Sequence, residues 1–320
     1  MKPLISVVVP TYNEERYIGK LLDSLLKQDV KEPYEILVVD GRSEDKTKEV
    51  VRTYADKDQR VRLEDNPHRR TPYAFNKGVK KSNGEYVVIL GAHSKVPKAW
   101  LRKNLEAMKR EPKTTAAVGG KLTNTKTKDK FQQAVEFTTS TFMGGGISTY
   151  RYARKKGYAL TTVFGMYRKE ALHEAGPFDT DFPVGQDAEL NQRLVKKGYK
   201  LLFDPAIKSQ YYSRTTPRKL AKQMYEYGKA REKIIQKHGL GSLKQLLPVG
   251  LALYIATTPA IAPFTEWYLL PLGVYVGAVA TNSLRRPRSF WRNIVAHILI
   301  HIGYGFGMAG QALKTRRRKA

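Results

Sequence analysis

Residues 86–97, Tyr86-Val87-Val88-Ile89-Leu90-Gly91-Ala92-His93-Ser94-Lys95-Val96-Pro97, decide how the rest of the chain is read. The uncharged run 86–90 is bounded by Gly84 and Gly91. Such a run reads as a strand buried on both faces. Open α/β sheets bind ligands just beyond the carboxyl ends of their strands. This strand delivers Gly91, Ala92 and His93 to that position. His93 carries a metal-capable imidazole, with no second ligand beside it in the sequence. It also reads as a plain structural hydrogen-bonder.

Working outward, the same grammar repeats. Residues 4–9 form a short β-branched strand that ends at Pro10-Thr11-Tyr12-Asn13-Glu14-Glu15. Asn13 is placed to cap a helix in which Ile18, Leu21, Leu22, Leu25 and Leu26 keep helical spacing. Residues 34–40, YEILVVD, form a second buried strand with Asp40 at its end, followed by a loop and a helix through 54. A short strand at 61–63 and a helix at 71–80 lead into the opening stretch. Downstream, strands are predicted at 116–120, 160–167 and 200–203, and helices at 98–110, 131–141, 168–175, 189–197 and 220–237. The alternation predicts an α/β, Rossmann-like, mostly parallel sheet with helices on both faces. Neither G-x-G-x-x-G after the first strand nor a P-loop is present. A nucleotide here must be held by side chains such as Asp40 rather than by a glycine cradle.

The 320 residues carry a formal net charge of +28 and no cysteine. Disulfides, thiolate metal sites and a cysteine nucleophile are therefore excluded. The basic excess points to nucleic acid or to an anionic lipid surface. Its distribution favours lipid and argues against nucleic acid, because arginines flank uncharged stretches in the last quarter. Residues 246–264 and 267–284 lack charge, and Arg285, Arg286, Arg288 and Arg292 follow. At roughly 20 residues per span, these predict a transmembrane hairpin over 246–284. Residues 293–313 form a third stretch, read as interfacial or as a third span, before a basic tail. The expected organisation is a catalytic domain over 1–240 and a membrane-associated region over 241–320. The expected location is the cell membrane, with the catalytic domain on the cytoplasmic side. Gly303 and Gly307 would permit close helix packing, and His297 and His301 read as packing or headgroup contacts.

Two carboxylate sites each have a second reading. Asp40 could bond a base or ribose, or it could start a turn in which Ser43 and Asp45 cap the next helix. Asp187 and Glu189 stand where a loop enters a helix. There Asp187 suits a general base, but an N-cap with an acidic first turn fits the same pattern.

Taken together, Pro10–Glu15, VVDGRSEDKT after the second strand, GAHSKVP, Val163-Phe164-Gly165, GQDAELNQRL at 185–194, and QMYEYGKAREKIIQKHG at 223–239 resemble the family 2 glycosyltransferases of GT-A fold. The likeness is strongest to the succinoglycan-biosynthesis ExoA-type branch. It implies an inverting hexosyl transfer from a nucleotide-sugar, UDP-linked by default, to a lipid-linked or polysaccharide acceptor. Pro10, Tyr12, Glu14, Asp40, Ser43, Gly91 and Ala92 would bind the nucleotide-sugar, and Asp187 would be the base. Gly165, Gln186, Glu189, Arg214 and Gln223 would serve acceptor or diphosphate, and His93 a metal. Mg²⁺ or Mn²⁺ is the family's usual ion, but Gly91 stands where the metal motif has Asp. Either His93 with diphosphate and water holds the ion, or Arg151, Arg154, Arg214 or Lys222 replaces it. The remaining alternative is a nucleotide-sugar-binding scaffold subunit of weak turnover that lacks a full metal site.

Overall fold

The computed structural model describes residues 2–146, 148–213, 216–241 and 243–319. The strands are β1 (Ile5–Thr11), β2 (Tyr34–Asp40), β3 (Val61–Asp65), β4 (Tyr86–Ile89), β5 (Ser94–Lys95), β6 (Thr115–Asn124), β7 (Gly157–Tyr158), β8 (Met166–Arg168) and β9 (Lys200–Tyr211). They form one sheet in the order β3-β2-β1-β4-β8-β6-β9-β5, with β7 paired to β9. The helices are α1 (Ile18–Leu26), α2 (Thr47–Lys57), α3 (Thr71–Lys81), α4 (Trp100–Arg110), α5 (Lys130–Thr139), α6 (Phe142–Gly145), α7 (Lys169–Ala175), α8 (Gln186–Lys196), α9 (Pro217–His238), α10 (Leu247–Ile261), α11 (Leu270–Leu284) and α12 (Phe290–Lys319).

The chain divides into two compact units, Met1–Thr125 with Ser148–Tyr212, and Lys126–Ile147 with Ser213–Ala320. The first holds the whole sheet. β1, β2, β3 and β4 run parallel, in a register that pairs Val7 with Ile36 and Val88. Successive side chains of a strand point to opposite faces, and both faces here are covered. Val7, Val9, Ile36, Val38, Val88 and Leu90 pack with Leu21, Leu22 and Leu25 of α1 and Leu101, Leu105 and Met108 of α4. Val8, Leu37, Val39, Val87 and Ile89 pack with Phe75 of α3, Leu172 of α7 and Leu190 and Leu194 of α8. This two-sided burial is why the strands read as unbroken apolar runs. Each such fully buried side chain stabilises the fold by about 1.5–3 kcal/mol.

Beyond β4 the sheet is mixed rather than mostly parallel. β8 lies antiparallel to both β4 and β6. The strand expected over 160–167 is reduced to Met166–Arg168. Its first half is a loop, because Phe164 adopts a left-handed φ of 48°.

In the second unit α12 lies against α9 through glycines. A Cβ on Gly228 would meet the Tyr304 carbonyl at 2.0 Å, and one on Gly307 the Tyr225 carbonyl at 2.1 Å. His301 Nε2 donates to the Met143 carbonyl at 2.9 Å and its Nδ1 faces the Tyr275 hydroxyl at 3.0 Å. His297 is fully buried, and its Nδ1 donates to the Asn293 carbonyl at 2.8 Å. Burial lowers both histidine pKa values. They are packing residues.

The membrane-spanning part of the sequence reading is corrected. Among the described residues no helix is long and apolar enough to cross a membrane. α10 and α11 have 15 residues each, or about 22 Å at 1.5 Å per residue against a hydrocarbon core of about 30 Å. The uncharged stretches are longer than the helices they form, because 3₁₀ turns at Leu243–Leu246 and Glu266–Leu269 take their ends. α12 has 30 residues but carries Arg292, His297, His301, Gln311 and Lys314. The transmembrane hairpin, the third span and the cell-membrane location that rested on them are therefore not supported.

Candidate active site

The carboxyl ends of β1, β2 and β4 meet on one side of the sheet. The segment after β1 and the segment after β2 are bonded to each other along their length. The Asn13 amide donates to Ser43 Oγ at 2.9 Å, and Asn13 Oδ1 accepts from the Glu44 amide at 2.9 Å. The Glu14 amide donates to Thr47 Oγ1 at 2.8 Å, and Glu15 Oε2 accepts from the Lys46 amide at 3.1 Å. Asn13, at φ 54°, thus bridges two loops instead of capping α1, whose N-cap position is Tyr17.

Asp40 is the centre of this arrangement and is only 2 % exposed. Its Oδ1 accepts from Ser43 Oγ at 2.5 Å and Thr11 Oγ1 at 3.4 Å, and its Oδ2 from the Ser43 amide at 2.9 Å. The carboxylate is already bonded on both oxygens and shapes the loop from within. Asp45 turns the chain into α2, whose N-cap position is Lys46, its Oδ1 accepting from the Thr47 amide at 2.9 Å. Tyr12 is 42 % exposed on the rim, with the Arg69 guanidinium 5.9 Å from its ring centre.

At the end of β4, His93 Nδ1 lies 2.8 Å from Glu14 Oε1. A carboxylate only accepts, so Nδ1 is the protonated nitrogen. The ring stands edge-on to Tyr211 at 4.9 Å, and the His93 carbonyl accepts from the Tyr212 amide at 3.0 Å. Glu14 is the partner that no local reading supplied, since it lies 79 residues away. Gly91 faces Phe164: a Cβ there would come within 3.4 Å of its ring. Among the described residues no three His, Cys, Asp or Glu side chains are grouped to hold a metal ion. His93 and Glu14 make two, and Mg²⁺ or Mn²⁺ asks for an oxygen-rich shell. The protein side chains present do not fit a complete site for either ion.

Asp187 lies in the first turn of α8, whose N-cap Gly185 is left-handed at φ 76°. Burial, and then the nearby charge of Asp187, raise the pKa of the Tyr167 hydroxyl. That hydroxyl donates to Asn191 Oδ1 at 2.9 Å. Asn191 Nδ2 in turn donates to Thr161 Oγ1 at 3.0 Å and the Thr162 carbonyl at 3.2 Å. Tyr167 and the loop at 161–162 are thereby tied to one buried amide, a link the sequence reading missed. The sole local signal is that residue 191 is a polar position on the apolar face of α8. Gly165 is in that loop, its carbonyl accepting from the Ile89 amide at 3.2 Å. Glu189 is fully buried and paired with Arg193 at 2.8 Å. Arg193 also donates to the Ala175, Gly176 and Pro177 carbonyls. Gln186 Oε1 is buried without a hydrogen-bond partner. Gln223 lies on α9 in the second unit and donates to the Tyr227 hydroxyl at 3.0 Å. Arg214 lies outside the described residues.

The carboxyl ends of parallel strands, where open α/β sheets bind ligands, together with an Asp in the first turn of α8, define the class as an α/β fold with a ligand site at its strand ends. The family description Glycosyl transferase family 2 matches residues 6–176, just over half of the chain. The chain belongs to that family and is a glycosyltransferase with a GT-A-like fold. A Methanococcus voltae dolichyl N-acetyl-alpha-D-glucosaminyl phosphate 3-beta-D-2,3-diacetamido-2,3-dideoxy-beta-D-glucuronosyltransferase is 38 % identical over 288 residues, covering 88 % of this chain and 87 % of that protein. The succinoglycan biosynthesis protein ExoA of Rhizobium meliloti is 28 % identical, covering 98 % and 96 %. The fold is similar to that of a mannosyltransferase from Pyrobaculum calidifontis in complex with GDP-Man and Mn²⁺, with TM-score 0.64, 22 % identity, and 96 % and 88 % of the two chains covered.

Proposed function

We propose that the chain is a nucleotide-sugar-binding subunit of the glycosyltransferase class that lacks a full metal site and turns over slowly. The observation that carries this reading is the surroundings of His93. One carboxylate, Glu14, stands beside it at 2.8 Å, and the residue two before it is Gly91. Pro10, Tyr12, Glu14, Asp40, Ser43, Gly91 and Ala92 form the donor end in this reading. Asp40 and Ser43 act by holding the loop that faces the nucleotide. Asp187 takes the proton from an acceptor hydroxyl while that oxygen attacks the anomeric carbon. The nucleoside diphosphate leaves from the opposite face, inverting the centre. Gly165 and Gln186 serve the acceptor or diphosphate, and Glu189 supports them from the core. The name of the Methanococcus voltae relative, which specifies a dolichyl-linked sugar phosphate, supports a lipid-linked acceptor over a free polysaccharide.

Calorimetric titration with UDP- and GDP-sugars, paired with a labelled-sugar transfer assay to a polyprenyl-phosphate sugar, tests the reading. Saturable binding with turnover below about 1 s⁻¹, the low edge of ordinary enzymes, is the expected result. Failure of every nucleotide-sugar to bind, or turnover in the ordinary range, overturns it.

A further inference from the structure

Asn191 is a fully buried amide on α8, where its neighbours Leu190 and Leu194 pack with Tyr167 of β8. Both ends of the amide are engaged. Nδ2 donates to Thr161 Oγ1 at 3.0 Å and to the Thr162 carbonyl at 3.2 Å. A carbonyl only accepts, so the second bond fixes which end of the amide is the nitrogen. Oδ1 is therefore the end that meets Tyr167, and the Tyr167 hydroxyl donates to it at 2.9 Å.

That hydroxyl has a single proton to donate. The Tyr167 side chain is 0 % exposed, so bulk water is no alternative acceptor. Asp187 is one. It precedes Asn191 by one helical turn in α8, and residues four apart on a helix lie on one face, with Cβ atoms about 5–6 Å apart. Its charge acts on the Tyr167 hydroxyl, whose pKa is raised by burial and then by Asp187. A carboxylate is the stronger acceptor of the two, yet the proton is donated to the amide. Asp187 Oδ1 instead accepts from the Ala188 amide at 2.9 Å.

We infer that Asn191 is a positioning residue for the base: its Oδ1 holds the Tyr167 proton and so keeps that hydroxyl from donating to the Asp187 carboxylate. A carboxylate that accepts a bond from a neighbouring hydroxyl is a weaker base, and it has one lone pair fewer to turn toward an acceptor hydroxyl. The inference rests on the reading of Asp187 as the base and deepens it.

The test is single-turnover transfer of labelled sugar to a polyprenyl-phosphate sugar at saturating nucleotide-sugar, beside calorimetric binding of UDP and GDP. The full chain is compared as wild type, Asn191→Leu, and Asn191→Leu with Tyr167→Phe. Asn191→Leu should transfer at least about tenfold more slowly, within the range a positioned base supplies, with nucleotide affinity within about twofold of wild type. Adding Tyr167→Phe removes the competing proton and should restore at least half of the wild-type rate. A merely structural role gives no such recovery, because the second substitution only removes another buried polar group. Unchanged transfer in Asn191→Leu, or a double variant as slow as the single one, overturns the inference and leaves the base reading in place. If Asp187→Asn keeps full transfer, or the wild type transfers no sugar, the base reading fails and takes this inference with it. Should Asn191→Leu not fold, Asn191→Asp decides. It keeps an oxygen for the Tyr167 hydroxyl, so adding Tyr167→Phe to it should change transfer by less than about twofold. A tenfold gain there overturns the inference.

Discussion

Glu14 and His93, 79 residues apart in the chain, meet at 2.8 Å between Oε1 and Nδ1. The bond joins the loop after β1 to the loop after β4 and sets which imidazole nitrogen carries the proton. A charge-assisted hydrogen bond of this kind contributes about 1.5–3 kcal/mol. Glu14→Gln should therefore weaken nucleotide binding by roughly tenfold, since 1.4 kcal/mol is a factor of ten. Calorimetry with UDP and GDP measures this. Unchanged affinity would remove the pair from the donor site.

Asp187→Asn keeps the shape of the α8 N-terminus and removes the base. Transfer should fall by about 10²- to 10⁴-fold, the usual worth of a positioned base, with nucleotide affinity within twofold of wild type. Retention of full transfer would assign the base elsewhere.

Glu189 and Arg193 form a pair in which the Glu189 side chain is 0 % exposed and that of Arg193 18 %. Removing one member strands the other's charge in the core, which costs about 3–5 kcal/mol. Arg193→Met should lower urea stability by that order, and adding Glu189→Leu should restore most of it. A near-neutral Arg193→Met would mean that water reaches Glu189.

His297 and His301 have pKa values lowered from 6.5 by burial, so the folded chain holds them neutral. The unfolded chain then binds more protons below pH 6.5, and stability falls as pH drops through that value toward the folded pKa values. Above pH 6.5 their contribution is fully present. Denaturation followed at pH 5, 6 and 7 should show this loss, and His301→Gln should flatten it. A flat wild-type profile would contradict the buried, neutral state.

A donor loop that depends on Asp40 makes a further prediction. Asp40→Asn leaves one oxygen able to accept but replaces the other by a donor facing the Ser43 amide, which already donates at 2.9 Å. Two donors in conflict at a site 2 % exposed should cost about 1–3 kcal/mol. Thermal denaturation reads this separately from nucleotide affinity. An unchanged midpoint with weakened binding would place Asp40 on the base instead of in the loop.

A continuous apolar run is a local signal, and so the strands at 4–9, 34–40 and 86–90 and the helices packed on them were legible from residue types alone. A strand covered on both faces is apolar at most positions; Ser6 and Glu35, exceptions in β1 and β2, are bonded to each other at 2.7 Å. The carboxyl ends of those strands, and with them Tyr12, Asp40 and His93, followed from the same pattern. The pairing of Glu14 with His93 was not legible, nor were the bonds from Asn191 to Thr161 and Thr162, because each depends on which segments the fold brings together. The strand expected over 160–167 failed for a related reason: tethers from Asn191 and Ile89 hold Phe164 in a conformation its own propensity disfavours. The uncharged stretches near the C-terminus show the opposite limit. Absence of charge is a property of composition, whereas helix length is settled by where 3₁₀ turns and neighbouring helices end each run. That the chain is a family 2 glycosyltransferase could be read along its length; which carboxylate stands beside His93 was decided by residues 79 positions apart that only the fold places in contact.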